Sequence, residues 1–369
     1  MSATLTSAAP VATPAPWRRW ACWAAPLAVL ALLLATPWLG AYTLSLVNRI
    51  GLAALATLGL VLLTGVAGMT SFGQAAFIGL GAYAGAWLTV GADVPAWLAP
   101  LAGSPWLALP AGLLLTTAVA LSLGALTLRL SGHYLPLGTL CWALALFSLF
   151  GTLESLGAHT GLSNLPAIGL GPWRLDQPAQ MAWLIWLTLL AAGWLAFQLL
   201  DSRTGRAIRA LNGGQAMAES MGVPVFRLKL AVFVLSAWLA ALSGWLYAFE
   251  QRFVSPAPFS LGAGIDLLFM ALIGGVGHLW GAIAGAGVVT LARDLLQDSL
   301  PSLLGHSGNY ESIVFGALVI ALMVKAPQGL WGWVHRHLPR GAAGPGVDLR
   351  RARRSEEHTS ELQSQSTIS

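Results

Sequence analysis

The sequence predicts an all-α, polytopic integral membrane protein: a helical bundle of about ten transmembrane segments. Three observations lead there. Of the 369 residues, 56% are hydrophobic and only 9% are charged, whereas a soluble domain carries about 25% charged residues. Mean hydropathy is +0.71, and apolar runs approaching the roughly 20 residues that cross a bilayer recur along the chain. Cations gather in a few short segments, the pattern of loops held on the cytoplasmic side. The 42 glycines and 17 tryptophans fit helices packed closely through small residues and anchored at the membrane interface by indoles.

Residues 1–20 read as a cytoplasmic N-terminal tail, an uncharged Ala/Ser/Thr/Pro stretch closed by the anchor Trp17-Arg18-Arg19-Trp20. The apolar run over 21–39 is longer than the roughly 7–15 residues of a signal-peptide core, so it reads as a retained first span entered from the cytoplasm. Further spans are expected over 50–68, 75–90, 106–128, 135–151, 181–200, 230–249, 265–276, 281–292 and 313–324. The pieces after 265 are short enough to be tilted, re-entrant or broken. Together 21–338 form the transmembrane domain. From an inside start, an even number of crossings delivers 201–229 to the inside, and a further even number brings Lys325, Arg336 and Arg340 there. Arg129 also falls inside, while Arg49, Arg174, Arg252 and Arg293 are scattered singly outside. Both termini are therefore expected in the cytoplasm, with 339–353 a cytoplasmic C-terminal segment.

The segment 201–229, DSRTGRAIRALNGGQAMAESMGVPVFRLK, is a long charged, helix-forming stretch between membrane-length runs. Arg203, Arg206, Arg209, Arg227 and Lys229 face only Asp201 and Glu219. Ala207, Ile208 and Leu211, then Ala216, Met217 and Ser220, give two short helical faces. Asn212-Gly213-Gly214 breaks them and Gly222-Val223-Pro224 ends the second. Two readings stand: a surface that pushes against a soluble partner, or a solvated loop whose cations only set topology.

Two glycine-rich breaks interrupt the apolar pattern. One runs from Thr64 through Gly65, Gly68, Ser71 and Gly73 to Gln74; the other runs from Ile273 through Gly274 and Gly277 to Gly281. Each ends a span running inward and precedes a small-residue span, a weak parallel internal repeat. The glycines also fit simple close packing, but Ser71 and Gln74 are polar groups at a membrane-depth break, where side chains face protein or water. The outer segment 152–180, with His159-Thr160-Gly161-Leu162-Ser163-Asn164-Leu165-Pro166, is rich in turn formers. It reads as a structured external loop with a short surface helix, serving either as a gate or docking element or as a connector.

Several chemistries lack their residues. There is no GxxxxGK[ST] loop, no HExxH, no paired-cysteine motif and no G-x-S-x-G elbow, so no enzyme is expected. Cys22 and Cys141 sit in apolar runs and read as buried packing residues. His335-Arg336-His337 reads as a basic juxtamembrane patch. The cation excess follows the positive-inside pattern and gives no indication of nucleic-acid binding. An ion-coupled carrier needs ionisable groups at membrane depth, but Asp266 lies at the outer start of its span and Glu154 just beyond one, so coupling is expected to come from outside the chain. An open channel remains compatible.

The stretch GMTSFGQAAFIGLGAYAGA over 68–86, the loop over 205–229, the outer segment 160–166 and Lys325-Ala326-Pro327-Gln328-Gly329-Leu330 together resemble one family. They are similar to the M-type membrane-spanning permease subunits of bacterial ABC importers for branched-chain amino acids, with urea and amide importers as close relatives. The resemblance implies a type II importer-like permease in the bacterial inner membrane. Its partners would be an H-type sister permease in a heterodimer, two ATP-binding subunits and a periplasmic solute-binding protein. ATP and Mg would bind the ATPase subunits, leaving this chain without a cofactor. The helix over 215–221 would dock in a groove of an ATPase, with Arg206, Arg209, Gln215, Glu219, Gly222 and Pro224 at the contact. Gly65, Gly68, Ser71, Gly73, Gln74, Gly274 and Gly277 would lie near the translocation path. Where the family often carries a charged pair, this chain has Asn212-Gly213-Gly214. A ribose-type sugar permease and a stand-alone channel or carrier are the competing expectations. Residues 354–369 resemble a translated sequencing adapter, so an ATPase domain could follow in the intact gene; without Glu356, Glu357 and Glu361 the formal charge of +5 becomes +8.

Overall fold

The structure is a computed structural model that describes residues 35–91, 103–129, 134–170, 173–212, 214–304 and 310–325, with positions 29, 33, 329 and 330. The expected first span therefore lies largely outside the described residues, as does everything from 331 onward.

Among the described residues the helices are α1 (Ala41–Val61), α2 (Gln74–Val90), α3 (Pro105–Thr127), α4 (Tyr134–Thr152), α5 (Pro178–Asp201), α6 (Arg203–Asn212) and α7 (Gln215–Ser220). They continue with α8 (Val225–Gln251), α9 (Leu261–Gly274), α10 (Leu279–Leu304) and α11 (Tyr310–Lys325). Six of these are long and apolar enough to cross a membrane, while α2 and α9 are shorter apolar helices. The protein is a polytopic membrane bundle, and every expected span from 50–68 onward coincides with a helix.

The position of each helix follows from what covers it. In α1 the most apolar window is 83% buried, whereas in α4 it is 22%, which puts α1 at the centre and α4 at the rim. Leu114, Leu126, Leu137, Trp194 and Leu195 are exposed on α3, α4 and α5, as apolar side chains are where the solvent is hydrocarbon. The most extensive helix contact joins α2 and α8. A Cβ at Gly81 would strike the backbone of Ala241, and one at Gly244 the backbone of Ile78, so glycines at this crossing let the two backbones touch. Tyr83 stacks on Phe150 at 4.8 Å between ring centroids, tying α2 to α4.

Two helices begin or end well away from their expected limits, and charge is the reason in both. The span expected over 50–68 starts at Ala41, so Asn48 and Arg49 lie inside α1. Asn48 is fully buried and its Nδ2 donates to the Pro178 carbonyl at 3.2 Å. The span expected over 281–292 runs on to Leu304, carrying Arg293, Asp294 and Asp298. Arg293 pairs with Asp266, and Asp294 with Arg49. Charges that meet a partner on a neighbouring helix do not end a helix, although they lower the local hydropathy as a loop would. Of the cations expected to stand singly outside, Arg49 and Arg293 are thus partnered, and Arg252 also pairs with Asp176, at 2.7 Å.

Cys141 is exposed on α4, which corrects its reading as a buried packing residue; its neighbourhood is apolar because it faces outward. Cys22 lies outside the described residues. The segment after α4 is structured as expected. It forms two 3-10 turns, Glu154–Leu156 and Ala158–Thr160, and then β1 (Leu162–Ser163), which pairs antiparallel with β4 (Phe253–Val254) just past α8. A small hairpin of β2 (Gly169–Leu170) and β3 (Trp173–Arg174) follows. Leu165 and Ile168 are buried beneath the segment.

Candidate functional site

Two regions bring chemistry-bearing residues together, one at each end of α1. The first is the end that carries the glycine-rich breaks and the charged loop. Here α1 loosens into a π-turn over Leu62–Val66, a one-turn widening of the kind found at functional sites. A Cβ at Gly65 would overlap the carbonyl oxygen of Val276, which lies in the turn between α9 and α10. The two breaks, some two hundred positions apart in the sequence, are therefore in backbone contact. Gly274 lies just as close to the Gly281 carbonyl, so α9 and α10 diverge from a point where no side chain separates them.

The charged loop is bonded to this junction. As expected, it forms two short helices, α6 and α7, with Gly214 between them at φ 134°. The side chain of Asn212, at the end of α6, donates from Nδ2 to the Gly65 carbonyl at 3.0 Å. Its Oδ1 stands 3.1 Å from the point where a Cβ on the exposed Gly68 would lie. Asn212 opens the Asn212-Gly213-Gly214 stretch, which stands where the resembled family often carries a charged pair. It makes a direct polar link between the loop and the spans, and no local sequence signal marks Gly65 as its partner.

Gly205, Ile208 and Leu211 form the buried face of α6. In α7 the buried residue is Ala218, which packs with Leu211 and Val225. Met217 and Met221 are instead 63% and 72% exposed, so the face expected from Met217 and Ser220 is turned outward. Of the predicted contact residues, Arg206, Arg209, Glu219, Gly222 and Pro224 are exposed. Arg206 donates to the Asp201 carbonyl at 3.1 Å. Arg209 sits 3.9 Å from the Asp201 carboxylate with both groups more than half exposed, a geometry worth little to stability. Glu219 is exposed on α7. Gly222 has φ +76° and open space around it, a backbone state that any other residue would adopt at a cost. Pro224 caps α8, its carbonyl accepting from Leu228 N at 3.2 Å, and Gln215 opens α7.

The other predicted path residues divide by position. Gly277 is exposed in the turn after α9, with nothing near it. Ser71 is buried, and its Oγ accepts from the Gly73 amide at 3.2 Å. Gln74 is buried where α1, α2 and α8 meet. Its Nε2 donates to the carbonyls of Ala56 and Ser236 at 3.2 and 3.1 Å, and its Oε1 accepts from Ser236 Oγ at 3.1 Å. Gln74 thus clasps three helices together.

The second region lies toward the start of α1. A cavity of about 340 Å³ opens among α1, α2, α8, α9 and α10, at the lower end of the roughly 300–1,000 Å³ usual for small-molecule sites. Leu52, Ile78, Phe259, Leu267, Met270 and Val289 supply its apolar wall. Two ion pairs complete its lining. The Arg293 guanidinium donates two hydrogen bonds to the Asp266 carboxylate, the longer at 3.0 Å, and also lies over the Phe315 ring at 4.7 Å. Arg49 donates to Asp294 at 3.0 Å, with Tyr42 donating to the same carboxylate. No predicted path residue lines this cavity. From the sequence, Arg49 and Arg293 stand as single outside cations and Asp266 as the outer start of a span, with nothing to bring them together.

Comparison with known proteins agrees with this architecture. The model of the family described as "Branched-chain amino acid transport system / permease component" matches residues 42–323. The high-affinity branched-chain amino acid transport system permease protein LivM of Salmonella typhimurium is 29% identical over 298 residues, 74% of this chain and 66% of that protein. The permease protein LivH of Escherichia coli strain K12 is 26% identical over 298 residues, 76% of this chain and 91% of that protein. The fructose import permease protein FruG of Bifidobacterium longum is 32% identical over 134 residues, 34% of this chain and 37% of that protein. This chain thus spans 66% of the length of the LivM relative. No solved structure matches it. With 42–323 covered end to end by one family model, from the central helix through the glycine junction to α11, the chain belongs to the permease-component family of branched-chain amino acid transport systems.

Proposed function

We propose that this chain is the transmembrane permease subunit of an ATP-binding cassette importer that carries branched-chain or other small amino acids from the periplasm to the cytoplasm. It works beside an H-type sister permease, with two ATP-binding subunits that hold ATP and Mg and a periplasmic solute-binding protein. It sits in the bacterial inner membrane with both termini and the loop 201–229 in the cytoplasm. The breadth of the match to the LivM and LivH relatives supports an amino-acid solute over a sugar.

One observation carries the mechanism: the loop is bonded to the spans by Asn212 and Gly65 while α7 turns Met217, Met221 and Glu219 outward. Exposed methionine beside a charge suits docking into a protein groove, because the unbranched thioether adapts its shape to the partner. Ala218, Leu211 and Val225 lock α7 to α6 and α8. A push on α7 then moves α6 as a unit, and Asn212 delivers the displacement to the backbone contact between the π-turn and the α9–α10 turn.

The test is reconstitution in proteoliposomes of both permeases, the ATPases and the receptor. ATP is expected to drive uptake of leucine, and changing Glu219 to Ala together with Gly222 to Val is expected to reduce uptake strongly. Uptake that continues at the same rate without the ATPases would show a stand-alone channel or carrier and end this reading.

A further inference from the structure

We infer that the charged cavity toward the start of α1 is a zwitterion site, at which the Arg293–Asp266 ion pair exchanges partners with the carboxylate and ammonium of an aliphatic α-amino acid. The inference rests on the importer reading above and adds the residues that select the solute's class.

Ionisable groups along membrane-crossing helices are costly and are by default functional. Here four share one cavity: Arg49 on α1, Asp266 on α9, and Arg293 and Asp294 on α10. The lining is two guanidinium groups and two carboxylates, with no net charge. Asp294 and Asp266 are largely shielded, their side chains 13% and 18% exposed, while Arg49 and Arg293 are 45% and 40% exposed. The carboxylates are therefore more shielded than the guanidinium groups that pair with them.

An α-amino acid carries both charges on one carbon. Its carboxylate can take the two donors that Arg293 now gives Asp266, a planar bidentate fit that guanidinium favours. Its ammonium then neutralises the released Asp266 carboxylate. Every charge keeps a partner, so the exchange leaves none unpaired in a partly desolvated wall. An amide, urea or sugar offers no such exchange, because separating the pair would strand two charges. A simple amine or carboxylic acid would strand one. The apolar lining of Leu52, Ile78, Phe259, Leu267, Met270 and Val289 receives an aliphatic side chain. Selection by charge at the cavity and by burial at its wall describes a small aliphatic amino acid.

The competing account is that the pairs only staple α1, α9 and α10 together. Accessibility separates the two. Thr290 lines the cavity, so Thr290→Cys is introduced into the full chain with Cys22 and Cys141 replaced by Ser, and the chain is assembled with its sister permease and ATPases in vesicles. Modification of the new thiol by a small neutral methanethiosulfonate is followed without ATP. Leucine is expected to slow the reaction, while 4-methylpentanamide, isopentylamine and 4-methylpentanoate leave it unchanged. Arg293→Gln and Asp266→Asn are each expected to raise the half-protecting leucine concentration by about tenfold or more, the scale of one charge-assisted hydrogen bond. Should Arg293→Gln fail to assemble, Arg49→Gln at the rim gives a smaller rise of the same sign. Absence of labelling, absence of leucine protection, or equal protection by the uncharged amide overturns the inference. ATP-driven leucine uptake without charge-selective protection defeats this site alone; charge-selective protection without ATP-driven uptake defeats the importer reading alone.

Discussion

Replacing Gly65 by alanine tests the junction on which the proposed coupling depends, and Gly277 supplies its control. Both glycines were singled out by the same sequence pattern, yet their surroundings differ. A methyl at position 65 would overlap the Val276 carbonyl oxygen and approach Val276 Cγ1 to 2.9 Å. The obstacle is backbone, so it cannot rotate aside; the π-turn and the α9–α10 turn must separate. Overpacking of this kind costs about 1–3 kcal/mol. Alanine in place of glycine in a helix recovers up to roughly 1 kcal/mol through lower chain entropy, so the net loss is about 1–2 kcal/mol. At position 277 a methyl meets nothing within 4 Å, and Gly277→Ala is expected to change stability by less than about 0.5 kcal/mol. Reversible unfolding of the purified chain by sodium dodecyl sulfate in mixed micelles measures both. Equal midpoints for the two variants, or a larger loss at 277, would refute the assigned contact. In the assembled importer Gly65→Ala is also expected to lower leucine uptake more than it lowers ATP hydrolysis, because separating the turns lengthens the Asn212 bond.

Two further substitutions probe the clasp and the link. Gln74→Leu keeps the volume but removes three hydrogen bonds among α1, α2 and α8; at about 0.6 kcal/mol each within a membrane, the loss is roughly 2 kcal/mol, and a change below a quarter of that in the micelle titration would contradict the clasp. Asn212→Ala removes a single hydrogen bond at an exposed position, so stability is expected to fall by no more than about 1 kcal/mol, while leucine carried per ATP hydrolysed falls severalfold; an unchanged ratio would sink the link.

The legible parts of the sequence were those that local physics decides. Apolar runs gave the helices, and cations between them marked 201–229. The Asn-Gly-Gly and Gly-Val-Pro punctuation placed α6 and α7. What stayed hidden depends on which helices are neighbours. In a run that is apolar on every side, periodicity does not separate the lipid face from the protein face, because hydrocarbon and leucine are equivalent surroundings. Cys141 was misplaced for that reason. Arg49 and Arg293 read as single outside charges and Asp266 as the outer start of a span, because a hydropathy average treats a charge alike whether or not a partner faces it. Asn212 bonds Gly65 across 147 positions, and neither residue type announces the other.

The two regions share a pair of helices. α9 and α10 touch through bare backbone at Gly274 and Gly281 and are joined further along by Asp266 and Arg293. A pair of rods fixed at one end by steric contact and bridged beyond it by an ion pair has one soft coordinate, the angle between them, and the ion-pair separation changes most along it. The glycine contact is the end that Gly65, Val276 and Asn212 hold. If the loop transmits a push as proposed, its displacement acts on that pivot and changes the separation of the charges. If the solute exchanges partners with that ion pair, the helix angle that the loop controls is also the angle that decides whether Arg293 closes on Asp266 or on the solute. Hydrolysis at the far side of the membrane would then expel an amino acid by restoring the native pair, without any ionisable group along the spans having to bind or release a proton.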